Sequence, residues 1–156
     1  MTPTPSAGIL LYRGSGEGLQ VWIGHMGGPY WSRKHRGAWS IPKGEQLPGE
    51  ETLVTALREF EEEIGVAAPA TEFRLLGEFA YSSGKRITVF AGSASEFDPG
   101  TITGGTFEME WPPRSGRTQS FPELDRAAWV PVREARELLV AGQAPAIDAI
   151  RALLAS

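Results

Sequence analysis

Residues 50–65, EETLVTALREFEEEIG, leave the chain little choice of local structure. Leu53, Leu57, Phe60 and Ile64 recur at intervals of 4, 3 and 4, which on a helical wheel keeps them within about 40° of one line. That is the pattern of a helix buried along one stripe. Gly65 supplies a C-terminal stop, and Pro69 prevents the helix from resuming. Whatever the rest of the chain does, it must provide an apolar surface for this stripe.

The other side of the same helix is acidic. Glu59, Glu61, Glu62 and Glu63 occupy four of five consecutive positions. On the wheel Glu59, Glu62 and Glu63 share the face away from the stripe, whereas Glu61 points to the other flank. Like charges one turn apart destabilise a helix by only about 0.2–0.5 kcal/mol per pair, and solvated Glu-rich faces are common. Crowding alone therefore does not identify a site. Carboxylates one turn apart are nevertheless close enough to converge on a cation, and all-oxygen ligands favour Mg²⁺ or Mn²⁺ over zinc. Arg58 can pair through its planar fork with Glu50, two turns earlier, or with Glu62.

Bulk composition sets the frame. With 156 residues, 41% hydrophobic and 22% charged, the chain suits one globular domain, expected over residues 6–156. Fifteen basic against nineteen acidic residues give a net charge of −4, so no general field draws the protein to nucleic acid or an anionic membrane. There are no cysteines, which removes disulfides and thiolate metal sites. The N-terminus has no basic leader, and its apolar run is too short for a span. The expectation is a soluble cytoplasmic protein with no membrane partner. A homodimer is the expected assembly on general frequency alone.

Along the chain, residues 1–5 read as a tail, while SAGILLYR (6–13) and LQVWIGHM (19–26) read as a strand hairpin. Residues 27–50 carry too much Gly and Pro for a regular element, apart from a short strand at AWSI. FRLLGEFAY (73–81) and RITVFAGSA (86–94) read as strands joined across SSGK. Residues 96–125 read mostly as loop, 126–132 as a strand, and 133–142 and 145–155 as helices. The sum is α+β, a mixed sheet with helices packed beside it.

From Gly44 the chain runs G-x5-E-x7-R-E-F-x-E-E-x-G-V, through Glu50, Arg58, Glu59, Phe60, Glu62, Glu63, Gly65 and Val66. This resembles the Nudix box of the Nudix hydrolases across 23 residues. Phe60 is the one departure, standing where the family usually has an aliphatic residue. Its place on the apolar stripe implies a packing change rather than lost activity.

The resemblance implies an α/β/α sandwich around a mixed β-sheet, with the box as a loop–helix–loop catalytic motif. It implies Mg²⁺-dependent hydrolysis, with Mn²⁺ possible, of a phosphoanhydride (pyrophosphate) bond. The substrate would be a nucleoside-diphosphate-linked compound such as a nucleoside triphosphate or dinucleoside polyphosphate. Metal ligands would be Glu59, Glu62, Glu63 and the backbone carbonyl of Gly44; Glu50 and Arg58 would be orienting residues. The general base would be Glu59 or Glu62, with Glu108, Glu110 and Glu123 as loop alternatives. A non-catalytic Nudix-fold nucleotide-binding or regulatory protein is the other reading, disfavoured by the intact acidic set.

Arg33, Lys34, His35, Arg36 and Lys43 crowd eleven positions ahead of the helix. Arg33, Lys34, Arg36 and Lys43 are the candidate phosphate contacts. Tyr30 and Trp31 are candidates to stack on a base, and Trp39 reads as an anchor. Trp111, Arg114 and Arg117 are further pocket candidates. Two histidines without cysteine partners or H-x-x-x-H spacing do not make a zinc site. A small nucleotide-like molecule is the expected partner, and nucleic acid is not.

Overall fold

The computed structural model describes residues 3–155. Residues 1 and 2 of the expected tail, and the last residue of the expected domain, lie outside the described residues. Nine strands and three helices follow one another as β1 (Ser6–Arg13), β2 (Gln20–Met26), β3 (Trp39–Ser40), β4 (Lys43–Glu45), α1 (Thr52–Ile64), β5 (Phe73–Ala80), β6 (Arg86–Ser93), β7 (Thr106–Glu110), β8 (Thr118–Pro122), β9 (Leu124–Pro131), α2 (Val132–Leu138) and α3 (Pro145–Ala155).

β1 is the spine of the main sheet. It runs parallel to β6 and antiparallel to β2 and β4, and the order across the sheet is β3-β2-β1-β6-β5, with β9 added beside β2. Alternation along β1 divides the interior. Leu10 points into a cluster with Ile23, Ile41, Ile87, Val89, Leu138, Ile147 and Ile150, covered by α2 and α3. Ile9 and Leu11 point the other way, to Trp22, Phe60 and Ile64, covered by α1. The chain is therefore an α/β/α sandwich around a mixed sheet.

The stripe of α1 docks as its spacing requires. Ala56, Phe60 and Ile64 are buried, while Leu53 and Leu57 pack at the edge of the same cluster. The Phe60 ring is fully buried, 5.8 Å from that of Trp22 and 5.7 Å from that of Phe97. Gly65 ends the helix in the left-handed region, its N–H donating to the Glu61 carbonyl.

Residues 96–125 are loop over most of their length, as expected, but they also hold a hairpin that was not: β7 and β8 pair over Thr106–Glu110 and Thr118–Pro122 as a separate two-stranded sheet. Phe107, Met109 and Phe121 supply the alternation, but on strands too short to stand out between prolines and glycines. Two further expectations are corrected. Lys43–Glu45 is not irregular but forms β4, because its backbone groups find the start of β1. The helix expected over residues 133–142 stops at Leu138, because Leu139 bridges Trp39 and the Val140 N–H donates to the Trp39 carbonyl. Residues 141–143 form a 3-10 turn.

Truncating Phe60 to alanine removes the ring that seats α1 on the sheet. Phe60→Ala should lower unfolding free energy by about 3–5 kcal/mol in urea titrations; a loss under about 1 kcal/mol would show that α1 is held by something else.

Candidate functional site

The box forms around one guanidinium. Arg58 donates from Nε to Glu50 Oε2 at 2.8 Å and from Nη2 to Glu50 Oε1 at 2.9 Å and the Glu45 carbonyl at 3.1 Å. Its Nη1 donates to Glu59 Oε1 at 2.7 Å and Glu62 Oε2 at 3.2 Å. All five N–H donors are thereby used. Of the two partners open to Arg58, Glu50 takes the bidentate fork and Glu62 a single bond.

Glu50 also accepts from Thr55 Oγ1 at 2.7 Å and the Leu47 N–H at 3.1 Å. The hydrogen bonds from Arg58, then that from Thr55, hold its carboxyl down to about 2 against an ordinary 4.5. The Arg58 guanidinium is held charged more firmly than usual, chiefly by Glu50. This cluster fastens the turn ahead of α1 to the helix, where no side chain caps the N-terminus.

Glu63 is built differently. Its Oε1 accepts the Lys43 N–H at 2.9 Å. Burial pushes its carboxyl up to about 7, opposed by that backbone bond and reinforced by the charges of Glu123 and Glu59. Gly44 lies so close to Glu59 that a Cβ there would fall 1.9 Å from Glu59 Oε2. Only a residue without a side chain leaves Glu59 this position.

These groups meet in one cavity of about 300 Å³, lined by Lys43, Gly44, Glu59, Glu62, Glu63, Gly105, Thr106 and Glu123. A cavity of about 800 Å³ between the β1–β2 turn, α2 and α3 is larger, but its Glu17, Glu134 and Glu137 share the wall with Arg133 and Arg151 and with apolar side chains. Chemistry, not size, marks the site. Among the described residues no three acidic or histidine side chains stand in metal-binding arrangement: Glu59 and Glu62 are turned to Arg58 and Glu63 to Lys43. The donor set still fits a hard cation, being all oxygen, anionic and confined to one cavity beside the bare backbone of Gly44.

Glu61 is exposed and outside the cavity. Of the loop glutamates, Glu123 enters the lining, whereas Glu108 and Glu110 do not; Glu110 instead accepts the Arg114 N–H at 2.9 Å. Of the cations, Lys43 lines the cavity. Arg36 pairs with Glu137 of α2 at 3.0 Å, and Lys34 lies over the Tyr30 ring at 3.5 Å. Arg33, Lys34 and Arg36 are absent from the lining, as are Trp111, Arg114 and Arg117. Tyr30 is 63% exposed, while Trp39 is buried as an anchor.

Sequence reasoning passed over Gly104 and Gly105. The Gly105 N–H donates to the Glu62 carbonyl and the Thr103 N–H to that of Ile64, so this segment satisfies the end of α1. A Cβ on Gly104 would fall 2.0 Å from the Glu63 carbonyl oxygen. The paired glycines of TITGGTF were the available signal.

The NUDIX domain pattern matches residues 2–150, and the chain belongs to the Nudix hydrolase superfamily. No curated protein sequence matches it. Among solved structures, it resembles a C. elegans Ap4A hydrolase in a binary complex at 20% identity and TM-score 0.64, covering 98% of each chain. It resembles the NUDIX domain of Shewanella oneidensis NrtR complexed with ADP ribose at 15% identity and TM-score 0.66, over 99% of this chain and 90% of that one. A Nudix hydrolase from M. smegmatis, RenU, matches at 21% identity and TM-score 0.59, over 99% and 88%. At these identities the likeness speaks to the fold. No helix among the described residues is long and apolar enough to cross a membrane.

The Glu50 cluster has a pH signature. A carboxyl held at about 2 in the folded state contributes stability that is present above its ordinary 4.5 and lost as pH falls through that interval. Wild type should therefore lose Tm more steeply than Glu50→Gln between those limits, the two curves converging at the acid end. Parallel curves would show that the Arg58 fork does not carry the acid sensitivity.

Proposed function

We propose that the protein is a divalent-metal-dependent hydrolase of a phosphoanhydride bond in a nucleoside-diphosphate-linked compound, with Mg²⁺ or Mn²⁺ as cofactor. The observation that carries this reading is the confluence of Glu59, Glu62, Glu63 and Glu123 with the Gly44 backbone in one cavity. In this reading Glu59, Glu62, Glu63 and the Gly44 carbonyl hold the metal, Glu59 and Glu62 exchanging a bond to Arg58 for it. The metal, when bound, polarises phosphoryl oxygens and lowers the pKa of a water.

The chain's own residues do the remaining work. Glu50 and Arg58 fix the turn and the helix so that the carboxylates stay within one cavity. Lys43, on the cavity wall, meets a phosphate oxygen. Arg33, Lys34 and Arg36, outside the lining, would receive outer phosphates only by leaving their present places, Arg36 its pair with Glu137 and Lys34 the Tyr30 ring. Glu123 faces the cavity from β9's side and joins Glu59 and Glu62 as a candidate for the base that takes the proton of the attacking water. The substrate class is supported by the family and, at the level of analogy, by the Ap4A hydrolase and the ADP-ribose-bound domain that share the fold.

A second reading has an observation of its own. Glu59 and Glu62 are both tied to Arg58, which is the arrangement a domain that binds nucleotide without cleaving it would tolerate.

Incubation with Mg²⁺ and nucleoside triphosphates, dinucleoside polyphosphates, nucleotide sugars and ADP-ribose separates the two. The enzyme reading expects turnover of at least one class, loss of it in EDTA, and a fall of about a hundredfold or more in Glu62→Gln. Binding without turnover of any class would establish the second reading instead.

A further inference from the structure

His25 is fully buried and outside the cavity lining, yet both of its ring nitrogens are engaged. Nε2 lies 2.7 Å from the carbonyl oxygen of Lys34, in the basic loop that joins β2 to β3. Nδ1 lies 2.9 Å from Asp125 Oδ1, on β9. A carbonyl oxygen only accepts, and so does an ionised carboxylate. Nε2 therefore donates to the Lys34 carbonyl, while Nδ1 faces the Asp125 carboxylate.

The backbone is shaped to make this contact. In the β2–β9 ladder His25 pairs with Arg126 and Met26 with Leu124, so the register skips Asp125. Neighbouring residues of a regular strand point to opposite faces; a bulge re-aims one of them. Here it turns Asp125 to the side of its neighbour's partner, His25. Arg126 Nη1 stands 3.4 Å from the same Asp125 oxygen, which suits a carboxylate anion.

The other groups around the ring are accounted for. Trp39 of β3 meets His25 edge-on at 5.4 Å, with the Arg126 guanidinium over the Trp39 ring at 5.3 Å. His35 accepts the Trp39 Nε1–H at 3.4 Å. The Lys34 ammonium is turned away, over Tyr30.

We infer that His25 is a positioning residue: held through one ring nitrogen by the Lys34 carbonyl and through the other by Asp125, it latches the basic loop to β9 beside the cavity. The loop is pinned at its start by the Gly27 N–H on the Glu123 carbonyl and at its end by the Gly37 N–H on the Glu137 carbonyl. His25 adds the middle tie, at the residue following Arg33. Without the imidazole both bonds of this middle tie are lost, and the stretch that carries Arg33 and Lys34 is held only through the two ends of the loop. The consequence for phosphate binding rests on the function proposed above; the latch does not.

The N–H groups of Lys34, Gly37 and Ala38 are hydrogen-bonded within the loop or to α2. Their amide hydrogen exchange should quicken about tenfold in Asp125→Asn and in His25→Gln, while the amides of β1 keep their wild-type protection. Loop exchange unchanged in both variants overturns the inference.

In the substrate assay, His25→Gln keeps a donor near the Nε2 position and His25→Asn one near Nδ1. Each should raise KM about tenfold while leaving kcat within about twofold. If the exchange result holds and no substrate is turned over, the functional reading fails and the latch stands. If turnover is present and both variants retain the wild-type KM, the positioning role is refuted.

Discussion

A single buried-edge guanidinium organises the acidic end of this molecule. Arg58 gathers Glu50, Glu59, Glu62 and a backbone carbonyl of β4 onto five donors. Without that cation, three glutamates and a strand end would repel or drift apart, and the turn before α1 would have no fixed relation to the helix. Charge-assisted, bidentate geometry is what a lysine would not reproduce. The crowding that looks unfavourable along the sequence becomes favourable once the opposite charge sits among it.

That cluster is useful only because the sheet beneath it is asymmetric. β1 takes β2, β4 and β6 as neighbours, so the strand that buries α1's stripe through Ile9 and Leu11 also carries β4 at its start. Gly44 is thereby delivered to Glu59. The opposite face, closed by α2 and α3, holds a fully buried glutamine. Gln143 accepts the Ile41 N–H at 2.8 Å and donates to Ser40 Oγ at 3.0 Å and Tyr81 Oη at 2.9 Å. The chain leading into the box is thus fixed from both sides of the sheet.

Much of this is legible in the sequence. The spacing of Leu53, Leu57, Phe60 and Ile64 defines α1 and its buried side, and the same wheel separates Glu61 from its three neighbours, because a helix converts sequence intervals into directions. What could not be read are relations made by long-range pairing. β4 is three residues of Lys, Gly and Glu that become a strand only because β1 has free backbone groups opposite them. Leu139 leaves the helical pattern because Trp39 offers it a bridge. Glu123 and Asp125 lie far from the box along the chain, and their arrival depends on a returning hairpin and a bulge that no local pattern announces. Of the basic run before the box, only Lys43 has its place set by β4; the other cations sit on a loop whose course is decided by tertiary contacts.

The hairpin of β7 and β8 leaves the body at Gly105 and comes back at Glu123, and the Glu123 N–H donates to the Gly105 carbonyl at 2.9 Å. Its two feet are therefore stitched together at the point where both touch the cavity. Beyond Thr106, which still lines the cavity, the rest of the hairpin hangs outside that stitch. Such a closed base lets the projecting arm vary in length or composition without disturbing the carboxylates below. The fold thereby separates the part of the molecule free to diverge from the part that must hold still.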